Sequence, residues 1–259
     1  RRKKLTIFFS DIKGFTEITD TLESEVLSNL LNNYLDEMAQ IALRYGGTID
    51  KFIGDAVMVF FGDPQTNGEK ADAIACVRMA IEMREKMIDL RMKWRNEGIA
   101  SPLHIRCGVN TGFCTVGNFG CENRMDYTIV GGQVNLASRL ESRALMDQIL
   151  ISHETYALIK DEIYCEPQDD IFVKGIHYAI RAYQVVDTYE ALQSASMEFV
   201  REMKGFNLAI NFKEVERETA LLQLREAINH LSNKGDVEKS MPGLFKTLIT
   251  PEASKKTIN

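Results

Sequence analysis

The chain has 259 residues, of which 45% are hydrophobic and only five are prolines, so it is long and apolar enough to bury a sizeable core. A formal net charge of -6 argues against a general nucleic-acid or anionic-membrane surface. The longest apolar runs are far shorter than the ~20 residues that a membrane helix needs. We therefore expect a globular protein with no nucleic-acid partner and no membrane segment in this fragment.

The cysteine usage and the start of the chain indicate its setting. The five cysteines are an odd number and form no Cys-x-x-Cys pair or zinc-like spacing, which predicts free thiols in a reducing, cytoplasmic compartment. The chain opens on Arg1-Arg2-Lys3-Lys4 without an initiator Met, which is typical of a piece cut from a longer polypeptide. Membrane anchoring of the full-length protein through other segments stays open.

The predicted elements begin with a strand that ends at about Phe9 and a helix over residues 18–44. Two short apolar runs, residues 48–53 and 56–61, flank Gly54-Asp55 and predict a β-hairpin. The elements that follow are a helix over 69–97, strands over 103–110, 114–118 and 127–130, a helix over 134–145, and strands over 149–152, 171–173 and 179–186.

This order predicts an α+β fold with a ferredoxin-like βαββαβ core. The strands at 103–110 and 114–118 are expected to form a hairpin around Thr111-Gly112-Phe113. We assign residues 1–186 to the main domain and residues 187–259 to a C-terminal extension. The extension is partly helical, with an apolar stripe from Glu214 onwards, and its role is open.

Two acids stand at the ends of predicted strands. Asp11 follows the first strand and Asp55 lies in the first hairpin. In a ferredoxin-like sheet these strands are antiparallel neighbours, so the two carboxylates would meet and repel each other unless a cation lies between them. Taken separately, Asp11 could cap a helix and Asp55 could be a turn residue; taken together they favour Mg²⁺ or Mn²⁺.

Four blocks of the chain resemble one enzyme family. They are "FSDIKGFT", "GTIDKFIGDAVMVFFG", "IRCGVNTGFCTVGNFG" and "YTIVGGQVNLASRLE", and they occur in the order found in class III nucleotidyl cyclase catalytic domains. The resemblance covers residues 3–186 and is nearest to the bacterial homodimeric adenylyl cyclases of subgroup IIIb. It implies that ATP is converted to cyclic AMP and pyrophosphate.

The resemblance also implies roles for individual residues. Asp11, Asp55 and the backbone carbonyl of Ile12 would hold two Mg²⁺ or Mn²⁺ ions per active site. Asn135 would orient the ribose and Arg139 would stabilise charge on the α-phosphate. From the local pattern alone, these last two residues fit a solvated polar helix face equally well.

Three more residues would bind the substrate. Lys174 matches the family lysine for the terminal phosphates, although by itself it reads as a surface lysine. Lys51 and Thr128 would read adenine, because an ammonium can donate to N1 and a hydroxyl oxygen can accept from the 6-amino group. Their alternative interpretation is a hairpin lysine and an ordinary strand residue. Because a hydroxyl can rotate, we expect Thr128 to discriminate less sharply than Lys51.

The chain departs from the family pattern at two positions. Phe113 stands where some relatives have a phosphate-assisting arginine, and Gly132 stands where many have an aspartate. In the family the sites lie between two subunits, and this chain carries both halves, which implies a homodimer and an upstream sensor or regulatory domain. The alternatives are a guanylyl cyclase, a catalytically silent nucleotide-binding dimerisation module, and a metal-dependent hydrolase.

Overall fold

Strand β1 (Arg2–Ile12) organises the core because its side chains alternate between two buried faces. Leu5 and Ile7 belong to one apolar cluster, whereas Phe8 and Ile12 belong to another on the opposite face of the sheet. The structure, a computed structural model, describes residues 1–99, 103–171, 179–196, 198–203, 205–211 and 215–232. It divides the chain into two compact units, Arg1–Ala191 and Leu192–Asn259.

The first unit alternates helices with strands along the chain. After β1 its elements are α1 (Phe15–Thr19), α2 (Ser24–Arg44), β2 (Thr48–Ile53), β3 (Ala56–Phe61), α3 (Glu69–Asn96), β4 (Ile105–Cys121), β5 (Arg124–Val130), α4 (Gly132–Arg143), β6 (Ile149–Ser152), α5 (His153–Ile159), β7 (Ile163–Pro167) and β8 (Ala182–Thr188). Helix α6 (Tyr189–Ser196) follows and extends past the boundary of the unit.

The strands form one sheet with the order β2-β3-β1-β4-β6-β8-β7, in which β4 and β6 are parallel and the other pairs antiparallel. Strand β5 pairs with the far half of β4 and forms a two-stranded arm with it, the β4–β5 arm. The part β2-β3-β1-β4, with α2 and α3 packed on one face, is a ferredoxin-like arrangement. The predicted α+β class and βαββαβ core are therefore confirmed.

Helix α4 covers the opposite face of the sheet from α2 and α3. Its Ala137 packs with Leu5 and Ile7 of β1, and Gly108 of β4 lies directly beneath it. A Cβ atom at Gly108 would lie 2.2 Å from the backbone nitrogen of Glu141, so only glycine permits this close approach of helix to strand. The tight packing fixes α4 over the strand that pairs with β1.

Two predicted elements are wrong in detail. Residues 103–118 form no hairpin around Thr111-Gly112-Phe113, because β4 runs straight through them and stays in register with β1. Gly112 serves close packing there, since a Cβ atom would lie 2.6 Å from the Gln133 side chain. The helix predicted over 18–44 is two helices, α1 and α2, separated at residues 20–23.

The second unit contains a hairpin and a helix among its described residues. Strands β9 (Glu198–Met203) and β10 (Phe206–Asn211) pair antiparallel. The helix predicted from Glu214 begins three residues later, as α7 (Arg217–Ser232). The hairpin was not predicted from the mixed pattern of residues 187–213. In neither unit does a described helix combine the length and the apolar composition needed to cross a bilayer.

Candidate active site

The structure brings Asp11 and Asp55 together at one edge of the sheet. Asp11 continues the row of β1 side chains that faces α4, and Asp55 sits at the tip of the β2–β3 hairpin beside Gly54, whose φ is +64°. The Asp55 carboxylate accepts a hydrogen bond from the backbone N–H of Ile12 at 2.8 Å. The hairpin tip is thereby fixed against the end of β1, with the two carboxylates as neighbours.

An arginine and a third acid complete this cluster. The Arg106 guanidinium donates to both oxygens of Asp11, with Nε–Oδ1 2.6 Å and Nη2–Oδ2 2.7 Å, and it lies 2.8 Å from Glu141 Oε1. Arg106 stands opposite Asp11 in the β1–β4 register, and Glu141 comes from α4. We call Asp11, Asp55, Glu141 and Arg106 the acidic cluster.

The acidic cluster carries more negative than positive charge in a poorly solvated place. Burial, followed by the charge of Asp11, raises the pKa of Glu141 to about 8. Burial also raises the pKa of Asp55, and Asp11 adds to that shift, although the Ile12 N–H opposes it. Even with Glu141 protonated, the single guanidinium faces two aspartates, so the cluster favours an additional cation.

The donor set fits a hard divalent ion that also binds substrate oxygens. The described residues contain no group of three or more His, Cys, Asp or Glu side chains placed to bind a metal by themselves. Two aspartates and a main-chain carbonyl leave room for phosphate oxygens, which is how Mg²⁺ is commonly bound. Asp11 would have to exchange its pairing with Arg106 for the ion, and Glu141, already beside Arg106, is placed to keep the guanidinium.

Glu141→Gln is expected to flatten the pH dependence of stability. Between the ordinary pKa of 4.5 and the folded value of about 8, the folded chain holds a proton that the unfolded chain has released. The free energy of unfolding therefore falls as the pH rises through this window, and glutamine should remove on the order of 1 kcal/mol of that fall. Urea unfolding at pH 6 and pH 9 measures this pH dependence of the free energy of unfolding, with Glu122→Gln, a change at an exposed residue, as control. A pH dependence that is the same in Glu141→Gln as in the parent chain would contradict the raised pKa of Glu141.

A second group of polar residues lies where β2 meets β5. Thr128 Oγ1 donates to Asp50 Oδ2 at 2.6 Å, and the Ile129 N–H donates to the same oxygen at 3.3 Å. The Lys51 ammonium lies 3.1 Å from Asp50 Oδ1. The structure thus joins Lys51 and Thr128 through an aspartate that the sequence analysis did not single out.

Asn135 and Arg139 lie on the outer side of α4. Asn135 is exposed and Arg139 is half-buried, while Leu136 and Ala137 between them are buried. Within the described part of the chain, neither Asn135 nor Arg139 makes a side-chain hydrogen bond or ion pair. Both side chains are therefore available to a ligand.

Lys174, Phe113 and Gly132 are the remaining positions of the predicted site and its departures from the family pattern. Lys174 lies outside the described residues. Phe113 is exposed, and the Arg2 guanidinium lies over its ring at 4.7 Å, so a cation occupies the neighbourhood of the missing family arginine. Gly132 is the first residue of α4.

Arg106 and Glu141 were missed because their partnership depends on strand register. One signal was present for Glu141, which falls on the buried stripe of α4 between Ala137 and Ala144, where an acid needs a partner. Asp50 gave no such signal, since its burial follows from the contact between β2 and β5.

Comparison with known proteins decides the family. The protein-family model of the adenylate and guanylate cyclase catalytic domain matches residues 1–189 of the chain. The chain belongs to the class III nucleotidyl cyclases. This cyclase resembles the solved adenylyl cyclase CyaB from P. aeruginosa, with 64% identity, a TM-score of 0.72, and coverage of 72% of this chain and 95% of that one.

Guanylyl cyclases are also similar to this cyclase. The solved guanylyl cyclase Cya2 is 34% identical with a TM-score of 0.70, covering 73% of this chain and 95% of that one. A terminal-differentiation-specific adenylate cyclase of Dictyostelium discoideum is 36% identical over 190 residues, which are 71% of this chain and 9% of the relative. The cyclase thus spans only a small part of that longer protein.

Proposed function

We propose that this cyclase is an adenylyl cyclase that converts ATP to cyclic AMP and pyrophosphate. The observation that supports this most strongly is the Lys51–Asp50–Thr128 group, in which an ammonium and a hydroxyl are held side by side. Adenine offers an acceptor at N1 and a donor at its 6-amino group, and these two side chains can serve both. Guanine presents the opposite groups at the corresponding positions. The higher identity to an adenylyl cyclase than to a guanylyl cyclase supports the same choice.

The acidic cluster is proposed to bind the triphosphate through metal. Asp11, Asp55 and the Ile12 carbonyl would hold two Mg²⁺ or Mn²⁺ ions, which fits the excess of carboxylates there. When bound, such ions activate the ribose 3'-hydroxyl and neutralise phosphate charge. Asp11 and Asp55 would supply the carboxylate oxygens that hold these ions near the attacking oxygen and the α-phosphorus. Arg106, released from Asp11, would keep its contact with Glu141.

Asn135 and Arg139 are proposed to act on the ribose and the α-phosphate. An amide can both donate to and accept from ribose oxygens, and a guanidinium presents a fork of donors to phosphate oxygens. Arg139 would stabilise the charge that develops during displacement of pyrophosphate. Lys174 is proposed for the terminal phosphates on the family resemblance alone.

A homodimer with two shared sites is the proposed assembly. Large apolar side chains are exposed on the β2–β3 hairpin and on the β4–β5 arm, namely Phe52, Ile53, Phe119, Met125, Tyr127 and Val130. Such a patch beside polar site residues is typical of a protein interface. Asn135 and Arg139 have no partner among the described residues, which is what a site completed by a second copy requires.

The setting and the domain roles are proposals as well. We place the catalytic domain at residues 1–186 in the cytoplasm, under an upstream sensor, and leave residues 187–259 as an extension of unassigned role.

Base preference is tested by comparing ATP with GTP. With Mn²⁺ present, kcat/KM for ATP should exceed that for GTP by about tenfold or more, because one mispaired polar group at the base costs about that factor. The rival function, guanylyl cyclase, is favoured by the similarity to Cya2 and predicts the reverse ratio. A clear GTP preference would overturn the adenylyl assignment.

A further inference from the structure

The Asp50 side chain is completely buried, although it belongs to a strand whose residues are all partly or fully exposed. Its exposed fraction is 0%, whereas that of the neighbouring Lys51 side chain is 42%. A carboxylate taken out of water needs several donors. Asp50 Oδ2 accepts hydrogen bonds from the Thr128 hydroxyl and the Ile129 N–H. Asp50 Oδ1 accepts no hydrogen bond within the described residues and is compensated by the Lys51 ammonium at 3.1 Å, so two of the three neighbours of the carboxylate are the proposed base-reading residues.

A β-bulge puts Asp50 in this position. The β2–β3 register shifts between Ile49 and Lys51, so that Ile49 lies opposite Val59 and Lys51 opposite Met58, and Asp50 is the extra residue. Regular pleating would send Asp50 and Lys51 to opposite faces of the sheet, whereas a bulge lets two consecutive side chains lie on one side. The bulge in β2 thus places the Asp50 carboxylate next to both Lys51 and Thr128.

We propose that Asp50 is a positioning residue that sets base selectivity by fixing the proton of the Thr128 hydroxyl; the inference rests on the proposed adenylyl cyclase function. A hydroxyl has one proton and two lone pairs, and an ionised carboxylate can only accept. With its proton committed to Asp50 at 2.6 Å, Thr128 presents only lone pairs to a ligand. It therefore accepts from the 6-amino group of adenine and faces the O6 of guanine as acceptor against acceptor.

This arrangement revises the sequence-based expectation for Thr128. A freely rotating hydroxyl would adapt to either base, and Lys51 would then carry most of the selectivity. Thr128 is only 8% exposed and bonded to a buried carboxylate, so rotation would leave Asp50 Oδ2 with only the longer hydrogen bond from the Ile129 N–H. Asp50 Oδ1 also lies 3.1 Å from the Lys51 ammonium, and this ion pair leaves the N–H donors of Lys51 for the base.

The decisive experiment measures the ATP:GTP selectivity of Asp50→Asn against the parent chain. An asparagine amide can donate to Thr128 as well as accept from it, so the hydroxyl regains its freedom to donate outward. The ratio of kcat/KM values should fall about tenfold, chiefly through a gain with GTP. The ratio of Kd values for the two nucleotides, measured on the same proteins, gives the same readout where turnover is slow.

Two Thr128 variants form a matched pair that leaves Asp50 intact. Thr128→Ser keeps the hydroxyl and should keep the parent ratio, whereas Thr128→Val removes it and should lower the ratio as Asp50→Asn does. In the Thr128→Val background, Asp50→Asn should change the ratio less than twofold, because the two changes act through one hydrogen bond. If Asp50→Asn does not fold, the two Thr128 variants still test whether the Thr128 hydroxyl sets the ATP:GTP ratio.

The outcomes separate this inference from the proposed function. A parent chain that prefers GTP, or forms no cyclic nucleotide and binds neither base selectively, overturns the adenylyl assignment and with it the role of Asp50. A parent that prefers ATP, with Asp50→Asn folded and its ratio unchanged, overturns the role of Asp50 alone. Equal losses with ATP and GTP would reduce Asp50 to a structural residue and would also overturn the proposal.

Discussion

Asp55→Asn is expected to lower cyclase activity by about a thousandfold or more, because a two-metal site cannot form with one of its two carboxylates replaced by an amide. The fold should survive, since an asparagine oxygen can still accept the Ile12 N–H bond that Asp55 now accepts. The pKa of Asp55 is raised by burial and by Asp11, so the ionised carboxylate is disfavoured in the folded chain. The metal-free variant should therefore be at least as stable as the parent.

Two readouts distinguish this loss from damage to the fold. Thermal unfolding with and without Mn²⁺ should show a metal-dependent rise in Tm for the parent and a smaller one for the variant. Asp161→Asn is the matched control, because Asp161 is an exposed aspartate whose ion pair with Lys70 spans 3.5 Å. An inactive Asp55→Asn chain that keeps the full Mn²⁺-induced shift would contradict metal binding at this aspartate.

The second large effect is expected from mixing two inactive chains. Asp11→Ala removes an acid from one half of the proposed site, and Arg139→Ala removes the guanidinium from the other half. If each site takes its halves from two subunits, a heterodimer of these chains has one intact site and one site that lacks both groups. With random pairing, an equal mixture should recover about a quarter of the parent activity.

The control for this mixture uses two changes in the same half. Asp11→Ala and Asp55→Ala chains should not rescue each other, because every dimer of these chains lacks an acid at both sites. Refolding the chains together, or exchanging subunits at low concentration, ensures that heterodimers form. Absence of rescue by the Arg139→Ala partner, with heterodimers present, would refute the shared site.

The elements that could be predicted are those whose signals are local. The alternation in β1 and the Gly54-Asp55 turn follow from side-chain period and turn chemistry, and they were enough to place Asp11 beside Asp55. The error in β4 has the same origin, because Gly112 resembles a turn residue in sequence. Its role in packing against Gln133 becomes visible only when α4 is in place.

The partners of the site residues could not be predicted in the same way. Arg106 contacts Asp11 because the β1–β4 register places the two residues opposite each other. Glu141 contacts Arg106 from helix α4, which is distant from both strand residues in the sequence. The position of the Asp50 side chain depends on a β-bulge that no local sequence pattern predicts. Long-range pairing thus decides how the charges of the acids are compensated and how Lys51 and Thr128 are oriented. The site residues themselves can be recognised from short sequence motifs.

The reaction itself is tested most directly by identifying the products formed from ATP. The chain, incubated with ATP and Mg²⁺ or Mn²⁺, should release cyclic AMP and pyrophosphate in equal amounts, as separated by liquid chromatography and mass spectrometry. The Asp55→Asn chain should release neither above background. Formation of ADP and phosphate, or of AMP without cyclic AMP, would contradict the account and point to a hydrolase, and ATP left unchanged by a folded dimer would point to a silent nucleotide-binding module.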